Sequence, residues 1–254
     1  MNKLEIAAVK LRNSIHKLFP GDYEKVFSSG IITAGGSGTR LGGEPKQLRF
    51  INGKPCILYS LLAFQACSEI NEIIVVVRSG QENVINDLCR ENKISKLSAI
   101  VVGGDTRQDS VRRGFLKISP KSNMVAIHDA ARPLILPSQI SLLLKEANRY
   151  GASSAAKTVT DTVKRANSNC MILETVPREN LFSVQTPQVF KADLYRVALA
   201  IADQDGFEVT DDCSLAEHAG FSVKLCDLGA PNFKITTEDD LITITSILKE
   251  RKNG

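Results

Sequence analysis

From Val26 onward the chain repeats one pattern: a short run of β-branched and apolar residues, a turn, then a longer segment with apolar residues at helical spacing. Neighbouring parallel strands need a long crossover between them, and a helix is the usual one. The alternation therefore confines the chain to the α/β class, with a mainly parallel sheet. Expected strands are Gly30 to Thr33, Glu72 to Val77, Ser98 to Val102, Met124 to Ile127, Ala152 to Val159 and Ser222 to Leu225. Expected helices include Pro55 to Cys67, with Ile57, Leu58, Leu61, Leu62 and Phe64 near one face, and Pro137 to Tyr150, with Ile140, Leu143, Leu144 and Ala147. Each opens on a proline, which the first helical turn favours. Thr160 to Arg178 breaks the alternation, because a polar Arg165-Ala166-Asn167-Ser168-Asn169 turn separates two extended runs. It reads as a protruding β-arm, about residues 159–180, of the kind that serves an oligomer interface.

A chain of 254 residues can bury one large core. One domain over 29–254 is expected, behind a leader helix and linker over 1–28 that has neither the apolar stretch of a secretory signal nor the acid-poor composition of a transit peptide. Apolar residues at 43% and charged residues at 24% exclude global disorder. The formal charge of +4 is spread along the chain and aromatics are only 6%, without interleaving among the basic residues, so nucleic acid is not an expected partner. Runs such as Ile73-Ile74-Val75-Val76-Val77 end at a charge, so no membrane span is expected. Six cysteines, with no C-x-x-C pair and no histidine at ligand spacing, suit packing roles in the reducing cytoplasm.

The chemistry concentrates after the first strand, in Thr33-Ala34-Gly35-Gly36-Ser37-Gly38-Thr39-Arg40-Leu41-Gly42, with Pro45-Lys46-Gln47 close behind. Glycines let backbone N–H groups approach phosphate oxygens, and a loop leaving the carboxyl end of a central strand is where open α/β sheets bind ligands. No Gly-Lys-Ser/Thr closes it as a Walker loop. Leu41 stands where a dinucleotide fingerprint needs its third glycine, and strand two ends in Arg78 rather than in an acid. Hydride chemistry is therefore disfavoured, whereas Arg40 and Lys46 can both lie along one triphosphate, as phosphoryl or nucleotidyl transfer requires. The bland reading is a glycine turn with two solvated cations.

The loop resembles that of sugar-nucleotide pyrophosphorylases and, with Pro45-Lys46-Gln47, that of 2-C-methyl-D-erythritol 4-phosphate (MEP) cytidylyltransferases. Further segments are similar to that family's motifs and keep its order: Gly103 to Val111, His128-Asp129-Ala130-Ala131-Arg132-Pro133, Asp161-Thr162-Val163-Lys164, Gln185-Thr186-Pro187-Gln188, Thr210-Asp211-Asp212 and Asn232 to Thr236. The resemblance implies a Rossmann-like, doubly wound, mainly parallel sheet with a protruding β-arm, and a homodimer interlocked through that arm. It implies that Ala34, Gly35, Gly36 and Gly38 with Arg40 and Lys46 bind the triphosphate of CTP, and that Gly104, Asp105 and Ser110 read the cytosine and ribose. Asp129 and Ala130 would complete the nucleotide side, with Asp129 near the Mg²⁺ that accompanies CTP and phosphate oxygens holding most of that ion. The acceptor phosphate would fall to Thr162, Arg178, Thr186 and Lys234, with Arg132 and Thr210 nearby. His128 reads as packed and neutral. Relative to some members the loop has one residue more between Gly35 and Arg40 and one fewer between Arg40 and Lys46.

The implied reaction joins CTP to a small polyol phosphate. A phosphomonoester has its second pKa near ~6, so it is mostly dianionic at neutral pH and needs no general base. What needs help is the approach of two anions, for which Arg40, Lys46, Lys234 and Mg²⁺ are the expected catalytic charges. The nearest alternative acceptor is ribitol 5-phosphate, against which Ala131, Lys164 and the Asp211-Asp212 pair lean. A uridylyl- or guanylyl-transferring pyrophosphorylase is a second alternative. A noncatalytic nucleotide-binding regulatory protein is a third; it would be expected to lose cations that this chain keeps.

Overall fold

The computed structural model describes residues 3–18, 26–36 and 45–253, so Gly38 and Arg40 lie outside the described residues. In chain order the elements are α1 (Lys3–Leu18), β1 (Ser28–Thr33), the short pair β2 (Phe50–Ile51) and β3 (Lys54–Pro55), α2 (Cys56–Ala66), β4 (Glu72–Val77), α3 (Glu82–Glu91), β5 (Leu97–Val102), α4 (Arg107–Phe115), β6 (Met124–Asp129), α5 (Pro137–Tyr150) and β7 (Ala152–Thr158). Then come β8 (Val163–Ala166), β9 (Ile172–Val176), β10 (Phe182–Lys191), α6 (Ala192–Asp205), α7 (Asp212–His218), β11 (Lys224–Asp227) and α8 (Glu238–Asn253).

Among the described residues seven strands form one sheet in the order β11-β7-β10-β6-β1-β4-β5. The pairs β5/β4, β4/β1, β1/β6 and β7/β11 are parallel. The centre is apolar on both faces, as a sheet covered twice must be: Ile31, Ile32, Ile73 to Val77 and Val125 to Ile127 are all fully buried. Ile32, Val75 and Ala126 pack under Ile57, Leu61, Phe64, Leu143 and Leu144 of α2 and α5, whereas Ile31, Val76 and Ile127 pack under Val111, Phe115, Tyr195 and Leu199 of α4 and α6. Close packing needs Gly30: a Cβ there would sit 2.5 Å from the Phe64 ring, so β1 and α2 could not approach as they do. A third cluster, Ile51, Cys56, Leu134, Ile235 and Ile244, holds α8 beside the carboxyl ends of the strands.

All six expected strands are present, Glu72 to Val77 with the expected ends and the other five with shifted ones; β6, for instance, runs on through His128 and Asp129. Pro137 is in the first turn of α5, but Pro55 ends β3 and precedes the first residue of α2. The arm forms as the β8–β9 hairpin, with Val163 opposite Val176. The strand of the main sheet missing from the sequence reading is β10, a ten-residue strand lying antiparallel between β6 and β7. Its Gln-Thr-Pro-Gln centre reads as a loop because proline cannot donate to a ladder. The strand accommodates Pro187 at a register shift between Val184 and Gln188. The leader helix α1 lays Ile6 and Val9 against the cluster built on α6. Among the described residues no helix is long and apolar enough to cross a membrane.

Candidate functional site

The carboxyl ends of β1, β5 and β6 open into one cleft enclosing about 690 Å³, its open mouth included. From β1 come Thr33, Ala34, Gly35 and Gly36, and the loop is fixed at two points: Ala34 N–H donates to the Val76 carbonyl at 2.7 Å, and Arg78 Nε donates to the Gly35 carbonyl at 3.0 Å. Lys46 enters from a short 3-10 turn after Pro45, its Cε within 3.2 Å of where a Gly36 Cβ would be. From β5 come Gly104, Asp105 and Thr106. Thr106 caps α4 by accepting the Asp109 N–H at 3.0 Å, so the amino end of that helix and its positive dipole face the cleft. The Gly104 N–H donates to Ser110 Oγ at 3.1 Å. A Cβ on Gly104 would fall 2.4 Å from that of Asp109, so only glycine permits this turn.

Asp129 ends β6 at the floor. Lys234 Nζ is 2.7 Å from its Oδ2, Arg107 Nε is 3.8 Å from Oδ1 and Arg132 Nε is 3.8 Å from Oδ2. Burial pushes the Asp129 carboxyl upward, but these three cations, Lys234 first, outweigh it and hold the pKa well below the usual carboxylate range. Arg107 also reaches Asp212 Oδ2 at 2.8 Å. Burial works against its charge, yet Asp212 and Asp129 keep it protonated at any ordinary pH. Behind Asp212 stands Tyr195, whose hydroxyl donates to Oδ1 at 2.6 Å. The cleft thus gathers Lys46, Lys234 and Arg107 around a glycine loop and a helix amino end, a setting for a polyanion with more than one phosphate.

The family profile for 2-C-methyl-D-erythritol 4-phosphate cytidylyltransferase matches residues 29–250. The chain belongs to this family. It is 39% identical over 223 residues to the enzyme of that name from Desulforamulus reducens, covering 87% of this chain and 95% of the relative. It is 34% identical to the chloroplastic enzyme of rice, covering 87% of this chain and 74% of the other. A crystal structure of 4-diphosphocytidyl-2C-methyl-D-erythritol synthase from Anaerococcus prevotii superposes with a TM-score of 0.78 at 29% identity, covering 89% of this chain and 97% of that one. The cytidylyltransferase structure from Thermus thermophilus gives 0.73 at 31%, covering 88% and 100%.

Measured against the family's motifs, the structure brings Ala34, Gly35, Gly36, Lys46, Gly104, Asp105, Ser110, Asp129 and Lys234 to one cleft. Ala130 does not line it; its N–H is tied to the Thr33 carbonyl at 3.0 Å, and Ala131 is the residue that faces the cleft. Thr186 is buried and Arg132 half-buried beside Asp129; the Thr186 hydroxyl accepts the Asp129 N–H and Arg132 Nη1 donates to the Asn232 carbonyl. Thr210 is exposed and outside the lining, as are Thr162 and Arg178, which lie on the arm. Sequence reading passed over Arg107 and Arg78. Arg107 carried a usable signal, since a cation in the first turn of a helix opposes the dipole and calls for carboxylates or a ligand to hold it there. His128 is fully buried, and burial lowers its pKa to about 4 despite Asp129, so it is neutral as expected.

Proposed function

We propose that the chain transfers the cytidylyl group of CTP to 2-C-methyl-D-erythritol 4-phosphate, giving 4-diphosphocytidyl-2-C-methyl-D-erythritol and pyrophosphate in isoprenoid precursor synthesis. The observation that carries this reading is the convergence of Lys46 and Lys234 with Asp129 in one cleft beside Gly104, Asp105 and Ser110. A phosphate oxygen of the acceptor attacks the α-phosphorus in line as the bond to the β-phosphate oxygen breaks, and the pair of electrons leaves with pyrophosphate. No proton needs removing from a dianionic acceptor. Lys46, Lys234, Arg107 and Arg40 offset the repulsion as charge builds at the α-phosphate. The short polar surface at Gly104 and Ser110 suits a pyrimidine, since a larger base would leave buried hydrogen-bonding groups unpaired.

A hard, well-hydrated Mg²⁺ takes one or two carboxylates and fills its remaining positions with water and substrate phosphates. Asp129 and Asp105 are the carboxylates of the cleft, and no cluster of three metal-ligating side chains occurs among the described residues, so the donor set fits an ion brought with CTP rather than a resident metal. Asp129, with Asp105, would hold it, and when bound it would neutralise phosphate charge. Thr162 and Arg178 fit an interlocked homodimer in which each arm completes the acceptor site of the other subunit, because both are exposed on the arm and away from their own cleft. All six cysteines are free, five of them buried, which supports a cytoplasmic enzyme. Residues 1–28 precede the family match and read as an added leader.

The test is incubation with CTP and Mg²⁺ plus either MEP or ribitol 5-phosphate, with pyrophosphate detected. Release with MEP and not with ribitol 5-phosphate is expected; release with ribitol 5-phosphate alone, or with neither, overturns the reading.

A further inference from the structure

By resemblance Thr186 belongs to the acceptor phosphate, yet its hydroxyl is already occupied. The Asp129 N–H donates to Thr186 Oγ1 at 3.0 Å, and His128 Nδ1 lies 3.2 Å from the same oxygen. The direction of each bond follows by elimination. His128 Nε2 is 3.2 Å from the Arg132 carbonyl, which can only accept, so a neutral imidazole carries its proton on Nε2 and leaves Nδ1 as an acceptor. Thr186 then gives its single hydroxyl proton to Nδ1 and keeps a lone pair for Asp129. From the Thr186 carbonyl the path continues: Asn232 Nδ2 donates to it at 2.8 Å, and Arg132 Nη1 donates to the Asn232 carbonyl at 2.9 Å. Arg132 is where the path began, so His128, Thr186, Asn232 and Arg132 close a ring. Its members come from β6, β10, the loop before α8 and the loop after β6.

Two groups of the reaction centre hang from this ring. Asp129 follows His128 directly. Lys234 follows Asn232 by two residues, and the next N–H, of Ile235, donates to the Ala131 carbonyl at 2.9 Å, so the lysine is pinned on both sides. We propose that His128, Thr186 and Asn232 are positioning residues: their closed, buried ring sets Asp129 and Lys234 at the 2.7 Å separation that faces the reacting phosphates, and Thr186 acts through it rather than as a phosphate ligand. The proposal rests on the cytidylyl-transfer reading of that pair. A buried network of this kind is unforgiving, since losing one member strands its partners without hydrogen bonds and loosens groups whose placement decides the rate. No member of the ring belongs to the glycine loop or to the amino end of α4, so those two parts of the nucleotide side stand apart from it.

The experiment compares Thr186→Val, which keeps the shape and removes the hydroxyl, with Thr186→Ser, which retains it. Kinetics are read alongside nitrogen-15 NMR of the imidazoles, His128 being one of three histidines. Wild type is expected to show His128 as the Nε2–H tautomer. Thr186→Val should lose kcat by roughly 10- to 100-fold with little change in the KM for CTP, and its His128 should drift to a tautomer mixture. Thr186→Ser should recover most of the kcat and the single tautomer. A wild-type Nδ1–H tautomer overturns the proposal, as does a Thr186→Val enzyme with normal kcat, or one whose sole defect is a raised KM for the acceptor. The wild-type tautomer can be read even where the valine variant fails to fold. It also needs no turnover, so a protein inactive with CTP and MEP but showing Nε2–H defeats the functional reading and not the ring.

Discussion

At the scale of single residues, charge decides the chemistry. Lys46→Ala and Lys234→Ala should each lower kcat by about 10²- to 10³-fold, or roughly 2.7–4 kcal/mol of transition-state stabilisation, by the measure of a lost oxyanion donor. Steady-state kinetics of the two variants, folded by circular dichroism, check this; near-normal turnover in both would remove the mechanism. Arg107 differs in kind, since it lies between two buried carboxylates, Asp129 and Asp212, and pairs with both. Arg107→Leu strands Asp212 and should cost about 1–3 kcal/mol or more in urea unfolding, in addition to any loss of rate. His128 sets a pH limit. Its folded pKa, lowered by burial to about 4, lies below the unfolded value near ~6.5, so the unfolded chain binds the proton first as pH falls. The contribution is complete above about pH 6.5 and erodes by about 1.4 kcal/mol per unit down to about 4, while Asp129, held low, adds nothing in that window. Urea midpoints in a His16→Gln, His218→Gln background isolate it, and a flat profile from pH 7 to 5 would contradict the neutral, buried imidazole.

Elements place these residues, and they do so through their ends. The amino end of α4 faces the cleft because Gly104 allows the strand to turn tightly into the cap at Thr106. Gly104→Ala should displace Asp105 and raise the KM for CTP while leaving the acceptor KM near its wild-type value; the reverse pattern would move the nucleotide elsewhere. At α8 the carboxylate of Asp240 accepts from the Thr236 N–H and hydroxyl and from the Thr237 N–H, closing the loop that carries Lys234. Much of this was legible in advance: the β-branched runs marked the parallel strands, and the polar turn at 165–169 marked the arm. Strand β10 was not, because its central proline and glutamines carry the composition of a loop and only the neighbouring β6 and β7 supply the pairing that makes it a strand.

At the scale of the whole molecule the proposed homodimer predicts complementation between defective copies. If each arm serves the other subunit, a Lys234→Ala copy and an Arg178→Ala copy fail alone but complement one another. Their heterodimer has one intact cleft facing one intact arm. Mixing them in equal amounts with subunit exchange should restore about a quarter of wild-type activity, since half the dimers are mixed and each carries one working site of two. No recovery in a mixture shown by mass to contain heterodimers would place Arg178 in its own subunit's site or in none.

The sequence alone determined the fold class, the glycine loop with its cations, and the family's motifs, since strand periodicity, loop glycines and fixed charges are properties of residue order. Tertiary structure decided which of those residues meet. Asp129, Lys234 and Arg107 come from three distant segments, and Thr186 gives its hydroxyl to the protein's interior because β10 lies against β6. Spacing along a chain does not specify which buried polar group satisfies which. That is set only when the sheet brings its strands side by side and every donor left inside must find an acceptor.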